Sequence, residues 1–265
     1  MYSINSIRKK IAILVASCDN YSDLWNPFFQ LFWRFWPECP LDVFLLSNSQ
    51  CLDDERIRNV LIGDDISWSD NLRRGILQLP HDYIFLFLDD LFLCDFVDAS
   101  KVLPVFNWVV QYEPNCISMN ESLKPDKPFD DLFGTISKGT IYRASTVLSL
   151  WKKEVLLDLL KAGESAWAFE INGTVRSDKY DGFYSAWQDY FCIKNGVIKG
   201  KWQDNVLEFI QSHAVEIDLA KRPKMNTLES VWFFFRKQRA RLLKIIPSKY
   251  RRGFKHAMLL GRYKY

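Results

Sequence analysis

The sequence predicts an α/β fold in which a mainly parallel sheet is flanked by helices. Short, continuously apolar segments alternate with amphipathic helical segments, a pattern typical of strands that are buried on both faces. Several of the apolar segments end in polar residues, as strands do where they leave a sheet. Length and composition agree, because 265 residues with 48% hydrophobic and 25% charged side chains can bury a full core.

The chain begins with a strand, a helix and two further strands. IAILVA, Ile11 to Ala16, is short and apolar throughout, so it predicts a buried strand. The segment from Tyr21 to Trp36 predicts a helix, with Pro37 directly after its end. LDVFLLSN and RIRNVLIG predict the second and third strands.

A second helix is predicted over SDNLRRGILQL. Its apolar side chains Leu72, Ile76 and Leu79 fall on one helical face. Ser69 or Asp70 is the expected N-cap, because a short polar side chain there accepts a hydrogen bond from a free backbone N–H. The next segment, YIFLFL, predicts a fourth strand that runs straight into two aspartates.

The second half of the chain is more mixed. We expect a helix from Asp98 to Tyr112, a short strand at CISM, and a loop from Asn120 to Phe133 that is long enough to be functional. A further helix is predicted from Ser145 to Lys161. The apolar row that indicates this helix consists of Leu148, Trp151, Val155 and Leu159.

Polar side chains gather at the predicted carboxyl ends of the strands. They are Ser17, Asp19, Asn48, Asp65, Asp89 and Asp90. In open α/β sheets, ligands bind beyond this edge of the sheet. The sequence therefore predicts a ligand site there.

The pair Asp89-Asp90 suits a divalent metal. Mg²⁺ and Mn²⁺ take oxygen ligands, often one or two carboxylates together with substrate phosphates. Such a metal neutralises the charge that builds on a departing diphosphate. The alternative is that both aspartates only end the strand and cap the next element. Their place at the end of a buried strand, beside other polar strand ends, favours the metal.

The cysteines and the N-terminus predict a cytoplasmic protein. The six cysteines are scattered without a CxxC pair, so we expect reduced thiols and no metal-binding cysteine cluster. The apolar run near the N-terminus is too short for an export signal or a membrane span.

The order of these segments resembles a GT-A-type glycosyltransferase of the kind found in bacterial surface-polysaccharide (O-antigen or capsule) biosynthesis. The resemblance is carried by SCDN after the first strand, LSN, WSDNLRRGIL, IFLFLDDLFL, IYRASTVLSLWKKEVLLDLL, ESAWAFE and GVIKGKW. LDD stands where that fold carries its DXD-type metal motif, although no third acid occupies position 88. The resemblance implies a GT-A-like, Rossmann-like catalytic domain over residues 1–220, with Mn²⁺ or Mg²⁺ on Asp89 and Asp90.

The resemblance also implies a donor site for a nucleotide sugar, with UDP as the expected nucleotide. The loop after the first strand, with Ser17 and Asp19, would hold the nucleobase and ribose. Asn48, Asp65 and Trp68 would line the same cleft. Lys199 and Lys201 of IKGKW are flexible charges beside a glycine and would suit the diphosphate, unless they are only a solvated turn.

Glu170 of AWAFE is the candidate catalytic base. Transfer with inversion needs a carboxylate that takes the proton of the acceptor hydroxyl. Trp167 and Phe169 would then form a face for a sugar ring. Glu164 and Asp181 are the rival bases, and a retaining enzyme would need no base at this place.

The predicted reaction is sugar transfer to a hydroxyl of a lipid-linked glycan. One alternative is a sugar-phosphate nucleotidyltransferase, but SCDNYSDLWN lacks the glycine and the basic residue expected of its phosphate loop. The other alternative is a membrane-associated binding module without catalysis.

Residues 221–265 predict a basic helical tail. They carry 14 Lys and Arg against one acid, whereas residues 1–220 carry an excess of acids. A helix there would place Val231, Phe234, Leu242 and Ile245 on one face and cations on the others. Such a helix suits the inner face of the cytoplasmic membrane better than nucleic acid, which the acidic body disfavours. The alternative is that its apolar face packs on the catalytic domain.

Overall fold

The structure, a computed structural model, describes residues 2–120, 123–226 and 228–229. The first half forms α1 (Ile4–Lys10), β1 (Ile11–Ala16), α2 (Ser22–Phe35), β2 (Asp42–Ser47), β3 (Ile57–Leu61), α3 (Trp68–Gln78) and β4 (Tyr83–Leu88). The predicted strands and helices of this half are all present. The predicted tail helix, with Val231, Phe234, Leu242 and Ile245, lies outside the described residues.

The second half begins with β5 (Leu91–Leu93), α4 (Ala99–Tyr112), β6 (Cys116–Ser118), β7 (Lys127–Pro128) and β8 (Phe133–Thr135). It continues with β9 (Ser149–Lys152), α5 (Lys153–Leu159) and α6 (Ala166–Ala168). After α6, a π-helical turn (Phe169–Gly173) leads into α7 (Thr174–Arg176). The last elements are β10 (Phe183–Ala186), β11 (Ile193–Asn195), β12 (Val197–Ile198), β13 (Lys201–Trp202) and α8 (Asp204–Ser212).

Nine of these strands form one mixed sheet in the order β3-β2-β1-β4-β9-β6-β10-β8-β7. Strands β3, β2, β1 and β4 are parallel neighbours, and β10 is parallel to β6. Strand β9 runs antiparallel to both β4 and β6. The predicted α/β class is confirmed, and the four parallel strands place their carboxyl ends at one edge.

The alternation of side chains along the strands divides the core into two layers. On one face, Ile13, Val15 and Phe85 pack with α2, α4 and α8. On the other face, Leu14 and Leu86 pack with α3 and α5. Because both faces are covered, these strands are apolar at nearly every position, as their sequences indicate.

The helix predicted from Ser145 to Lys161 is wrong in its first half. Residues Ser149–Lys152 form β9, and the helix that follows begins only at Lys153. Leu150 packs in one core layer and Trp151 in the other, as successive residues of a strand must. Leu148 has a left-handed backbone (φ 42°), which ends any helix there. The pairing of β9 with β4 and β6 therefore overrides a row of apolar residues that also fits a helix.

The expectation of six thiols is also corrected. Cys94 follows β5 and Cys192 precedes β11, and these two short strands pair antiparallel. The pairing brings the two Cα atoms to 5.4 Å, and the cysteines form a disulfide. Cys18, Cys39, Cys51 and Cys116 are free.

The N-cap of α3 is Ser67 and not Ser69 or Asp70. The Ser67 Oγ accepts from the Asp70 N–H at 3.2 Å and donates to Asp70 Oδ2 at 2.6 Å. Ser69 is buried inside the helix, and among the described residues its hydroxyl has no hydrogen-bond partner.

Replacing Ser67 with alanine is expected to lower the free energy of unfolding by about 1 kcal/mol, because a capping acceptor is lost. Ser69→Ala is the matched control and should cost nothing or stabilise, since it removes a buried hydroxyl without a partner. Urea denaturation of both variants measures the two changes. Equal losses for the two variants would contradict this account of the cap.

No helix within the described residues is long and apolar enough to cross a membrane.

Candidate functional site

The loops that follow β1, β2, β3 and β4 meet at one edge of the sheet. The hydroxyl of Ser17, after β1, donates to Asp89, after β4. The N–H of Asp19 donates to the side-chain oxygen of Asn48, after β2, at 3.1 Å. The Asn48 amide in turn donates to the Gly63 carbonyl, after β3, at 3.0 Å. Hydrogen bonds thus join all four strand ends into one surface.

Asp89 and Asp90 lie at the centre of this surface. Asp89 is buried and Asp90 is half-buried. Burial raises the pKa of Asp89 well above its usual range, and the adjacent charge of Asp90 raises it further. Burial also raises the pKa of Asp90, to about 6. Without a nearby cation, the ionised form of both carboxylates is therefore disfavoured.

Ser17 fixes the position of the Asp89 carboxylate. Its Oγ donates to Asp89 and accepts from the indole N–H of Trp25 at 2.6 Å. Trp25 is buried in the second turn of α2, so its own position is set by the core. The two hydrogen bonds from Trp25 to Ser17 and from Ser17 to Asp89 therefore fix one carboxylate oxygen of Asp89 relative to the core.

Asp19 organises the loop after β2. Its carboxylate accepts from the backbone N–H groups of Asn48, Ser49 and Gln50 and from the Ser49 hydroxyl at 2.6 Å. Partial burial opposes ionisation, but these hydrogen bonds outweigh it and lower the pKa of Asp19. The loops after β1 and β2 are consequently one rigid unit.

Asp65 and Trp68 lie further along the same edge, at the start of α3. Asp65 is exposed, and its carboxylate accepts from the Asn71 amide at 2.6 Å. Trp68 is half-buried, and its ring packs at 5.5 Å from the ring of Phe169. Phe169 is fully buried between Trp68 and Trp151, so it cannot form the predicted face for a sugar. Trp167, in contrast, is 76% exposed.

Glu170 reaches the same edge of the sheet from the π-helical turn. Its Oε1 accepts from the backbone N–H and the hydroxyl of Thr146, both at 2.9 Å. Thr146 lies just before β9, whose first residue, Ser149, pairs with Leu86 near the end of β4. Glu170 is therefore placed near the start of β9, the strand that pairs with β4.

The rival bases have other partners. Glu164 is buried and forms a two-point ion pair with Arg176, at 2.9 and 2.5 Å, together with a hydrogen bond from Asn172. Asp181 pairs with Lys138 at 3.0 Å, and its side chain is 89% exposed. Of the three carboxylates, Glu170 is the one that accepts from Thr146 beside the start of β9.

Lys199 lies in the turn between β12 and β13, and Lys201 is the first residue of β13. Lys199 and Gly200 both have left-handed backbones, at φ 49° and 77°, and the Lys199 side chain is exposed. Lys201 is half-buried and pairs with Glu229 at 2.5 Å. The Gly196 N–H donates to the Asp90 carbonyl at 2.7 Å, which ties the start of this hairpin to the aspartate pair.

Sequence reasoning missed Arg222, which lies against this hairpin. Its guanidinium pairs with the buried Asp23 of α2 and stacks over the Tyr21 ring at 4.4 Å. Its charge opposes the rise in the pKa of both Asp89 and Asp90. The composition of residues 221–265 gave no signal that would separate this arginine from the other basic residues of the tail.

Two open clefts lie at the opposite edge of the sheet. One, of about 360 Å³, is lined by Asp82, Glu113, Lys153 and their neighbours, and the other, of about 420 Å³, by Arg8, Asp42, His81 and their neighbours. Neither contains a residue of the carboxyl edge. The chemistry favours that edge, because the buried carboxylate pair lies there and not in the clefts.

Asp89 and Asp90 fit a divalent cation. Two adjacent carboxylates are a hard oxygen donor set, and a divalent cation would favour the ionised form that burial opposes. No group of three or more His, Cys, Asp or Glu suitable for a metal occurs in the part of the chain that the structure describes. A cation here would therefore take its other ligands from water or from substrate.

Comparison of the sequence with profiles of known protein families and with curated proteins gives no match. Similar solved structures include residues 1–349 of S. aureus TarS. Its complex with UDP-GlcNAc aligns with 67% of this chain and 58% of that chain, at 12% identity and a TM-score of 0.42. Its complex with UDP aligns with 67% and 60% of the two chains, at 10% identity and a TM-score of 0.44.

A197 from STIV aligns with 71% of this chain and 86% of that chain, at 11% identity and a TM-score of 0.40. The chain thus spans 60% of the TarS fragment or less. These identities and TM-scores are too low to assign a family.

Proposed function

We propose that this chain is a GT-A-type glycosyltransferase that uses a nucleotide-sugar donor. The observation that carries the proposal is the pair Asp89-Asp90 at the carboxyl end of β4, joined through Ser17 to the loop after β1. A carboxylate pair at this edge suits a divalent cation that also meets the diphosphate of a nucleotide. The resemblance of the sequence to GT-A enzymes points to the same chemistry.

The loops after β1, β2 and β3 would hold the nucleoside part of the donor. Asp19 and Asn48 join these loops into one unit, so the surface is ordered before a ligand arrives. Such preorganisation reduces the entropy that binding must overcome. Asp65 and the half-buried Trp68 border this unit and would complete the cleft, with UDP as the expected nucleotide.

Asp89 and Asp90 would hold Mn²⁺ or Mg²⁺, which supplies positive charge to a departing diphosphate. The contribution of the chain itself is to hold the two carboxylates in place. Ser17 orients Asp89, and the Gly196 N–H holds the backbone of Asp90.

Glu170 would accept the proton of the acceptor hydroxyl if the enzyme inverts. Both contacts from Thr146 go to Oε1, and they fix the carboxylate beside β9. The exposed ring of Trp167, three residues earlier, offers an apolar face to a sugar. If the enzyme retains configuration, this base is not required.

Titration calorimetry with UDP, in Mn²⁺ and then in EDTA, tests the proposal. We expect UDP to bind, and to bind more weakly without the metal. A screen of UDP-sugars by thermal shift should identify the donor, because a ligand at 100 times its Kd stabilises the native state by about 2.7 kcal/mol. Absence of binding for every nucleoside diphosphate would favour a non-catalytic module. Release of pyrophosphate from a nucleoside triphosphate and a sugar phosphate would favour a nucleotidyltransferase.

We further propose that the acceptor is a lipid-linked glycan of surface-polysaccharide biosynthesis and that residues 230–265 bring the enzyme to the inner face of the cytoplasmic membrane. The basic composition of this segment supports attraction to anionic lipid. Flotation with phosphatidylglycerol vesicles should recover the full chain but not a chain truncated after Glu229. Equal flotation of both chains, or of neither at low salt, would refute the role of the tail.

A further inference from the structure

Residues 221–226 form a strap over the β12–β13 hairpin. The Trp202 N–H donates to the Pro223 carbonyl at 3.0 Å, and the Met225 N–H donates to the Trp202 carbonyl at 2.8 Å. Lys224 pairs with Trp202 as an added parallel bridge. These backbone contacts fix where the side chain of Arg222 lies.

The Arg222 guanidinium is held on three sides. Its Nε donates to Asp23 Oδ2 at 2.9 Å, and its Nη2 donates to Asp23 Oδ1 at 3.1 Å and to the Asn20 carbonyl at 3.3 Å. The ring of Tyr21 lies beneath it. Arg222 is only 7% exposed, and the side chain of Asp23 is 3% exposed.

The remaining nitrogen, Nη1, makes no hydrogen bond to any described residue, yet it is not sealed from solvent. It points toward the Lys199–Gly200 turn, where a Cβ added to Gly200 would lie 3.7 Å from it. The two N–H donors of Nη1 are therefore open to water or to a ligand, and an anionic ligand would also meet the guanidinium charge. The Asp23 ion pair alone uses only Nε and Nη2.

The position of Arg222 relates it directly to the aspartate pair. Asn20 and Tyr21, which hold the guanidinium, follow Ser17 in the loop that binds Asp89. The hairpin that faces Nη1 begins at Gly196, which is bound to Asp90. Arg222 and the two aspartates therefore contact the same two segments, the loop after β1 and the β12–β13 hairpin.

We propose that Arg222 Nη1 and the Lys199–Gly200 turn form an anion site for a phosphate of the donor diphosphate. A guanidinium matches phosphate oxygens with parallel N–H donors, and the exposed Lys199 adds a movable charge. The assignment to the donor rests on the proposed function, whereas the anion site itself does not. Through Arg222, the strap would thus make one residue beyond position 220 part of substrate binding.

Calorimetric titration with inorganic pyrophosphate tests the anion site. Arg222→Lys keeps a cation beside Asp23 but removes Nη1, and we expect it to weaken pyrophosphate binding at least tenfold. Arg222→Gln should weaken it at least as much. Lys221→Gln is the matched control. Lys221 is the neighbouring residue and contacts Ser22 and Asp23, and its replacement also removes one positive charge. The affinity of Lys221→Gln for pyrophosphate should stay within about twofold of the wild-type value. Thermal melts confirm that each variant is folded.

Wild-type affinity in Arg222→Lys, an equal loss in Lys221→Gln, or no pyrophosphate binding by the wild type would each overturn the anion site. Titration with UDP separates this result from the proposed function. Equal UDP binding by the wild type and Arg222→Lys would overturn the assignment of this site to the donor diphosphate and leave the glycosyltransferase proposal standing. Pyrophosphate binding that depends on Arg222, without binding of any nucleoside diphosphate, would support the anion site and overturn that proposal.

Discussion

Replacing Asp90 with asparagine is expected to lower sugar transfer by at least about 1000-fold, because a ligand of the cation that stabilises the departing diphosphate is lost. The fold should survive. Burial raises the pKa of Asp90 to about 6 in the folded protein, so its ionised form opposes folding at neutral pH. In metal-free buffer the variant should therefore melt at the same temperature as the wild type or higher.

The pH dependence gives the same prediction a second readout. Between the unfolded pKa of an aspartate, about 4, and the folded pKa of about 6, the native state binds more protons than the unfolded state. This residue therefore makes wild-type stability fall as pH rises through that window. The stability of the Asp90→Asn variant should decrease less than that of the wild type over the same pH range. Thermal melts in EDTA from pH 4 to 7 would measure the difference.

Asp95→Asn is the matched control for Asp90→Asn. Asp95 is an exposed acid in the same stretch, and within the described residues its side chain accepts one hydrogen bond, from the Phe96 N–H at 2.8 Å. Its replacement should leave transfer and Mn²⁺-dependent UDP binding unchanged. Full transfer by a folded Asp90→Asn protein would remove this residue from the proposed metal site.

Glu170→Gln is expected to lower the rate constant for transfer by about 100- to 10,000-fold in an inverting enzyme, the usual contribution of a general base. A glutamine oxygen can still accept both hydrogen bonds from Thr146, so these contacts should survive the change. The affinity for UDP should also stay the same, because Glu170 is assigned to the acceptor. Steady-state kinetics and a UDP titration measure the two effects separately.

Two further variants test whether Glu170 is the catalytic base or only stabilises the fold. Thr146→Val removes one donor to Glu170 and should cost stability but little of the rate per folded molecule. Glu164→Gln weakens the buried pair with Arg176 and should lower stability without changing the mechanism. If Glu164→Gln abolished transfer in folded protein while Glu170→Gln did not, the assignment of the base would be wrong.

The sequence was informative where burial alone decides the structure. IAILVA and YIFLFL are buried on both faces, so any fold that accommodates them must pair them inside a sheet. The polar residues that follow such strands necessarily lie at an edge. This is why Ser17, Asn48 and the aspartate pair could be predicted to lie close together before any contact was known.

Contacts between distant segments could not be predicted in this way. Whether Leu150 and Trp151 belong to a helix or a strand depends on β4 and β6, which come from other parts of the chain. That Glu164 pairs with Arg176 and that Glu170 accepts from Thr146 are contacts that no local pattern identifies.

The sequence by itself therefore determined the α/β class, the order of the first strands and helices, and the gathering of polar strand ends at one edge of the sheet. It did so because hydrophobic periodicity and strand termini are local properties of the chain. Only the tertiary structure decided that Cys94 meets Cys192 and that Arg222 lies over Tyr21 and Asp23. These contacts join residues that are 98 and about 200 positions apart, and such pairings are set by how the whole sheet packs.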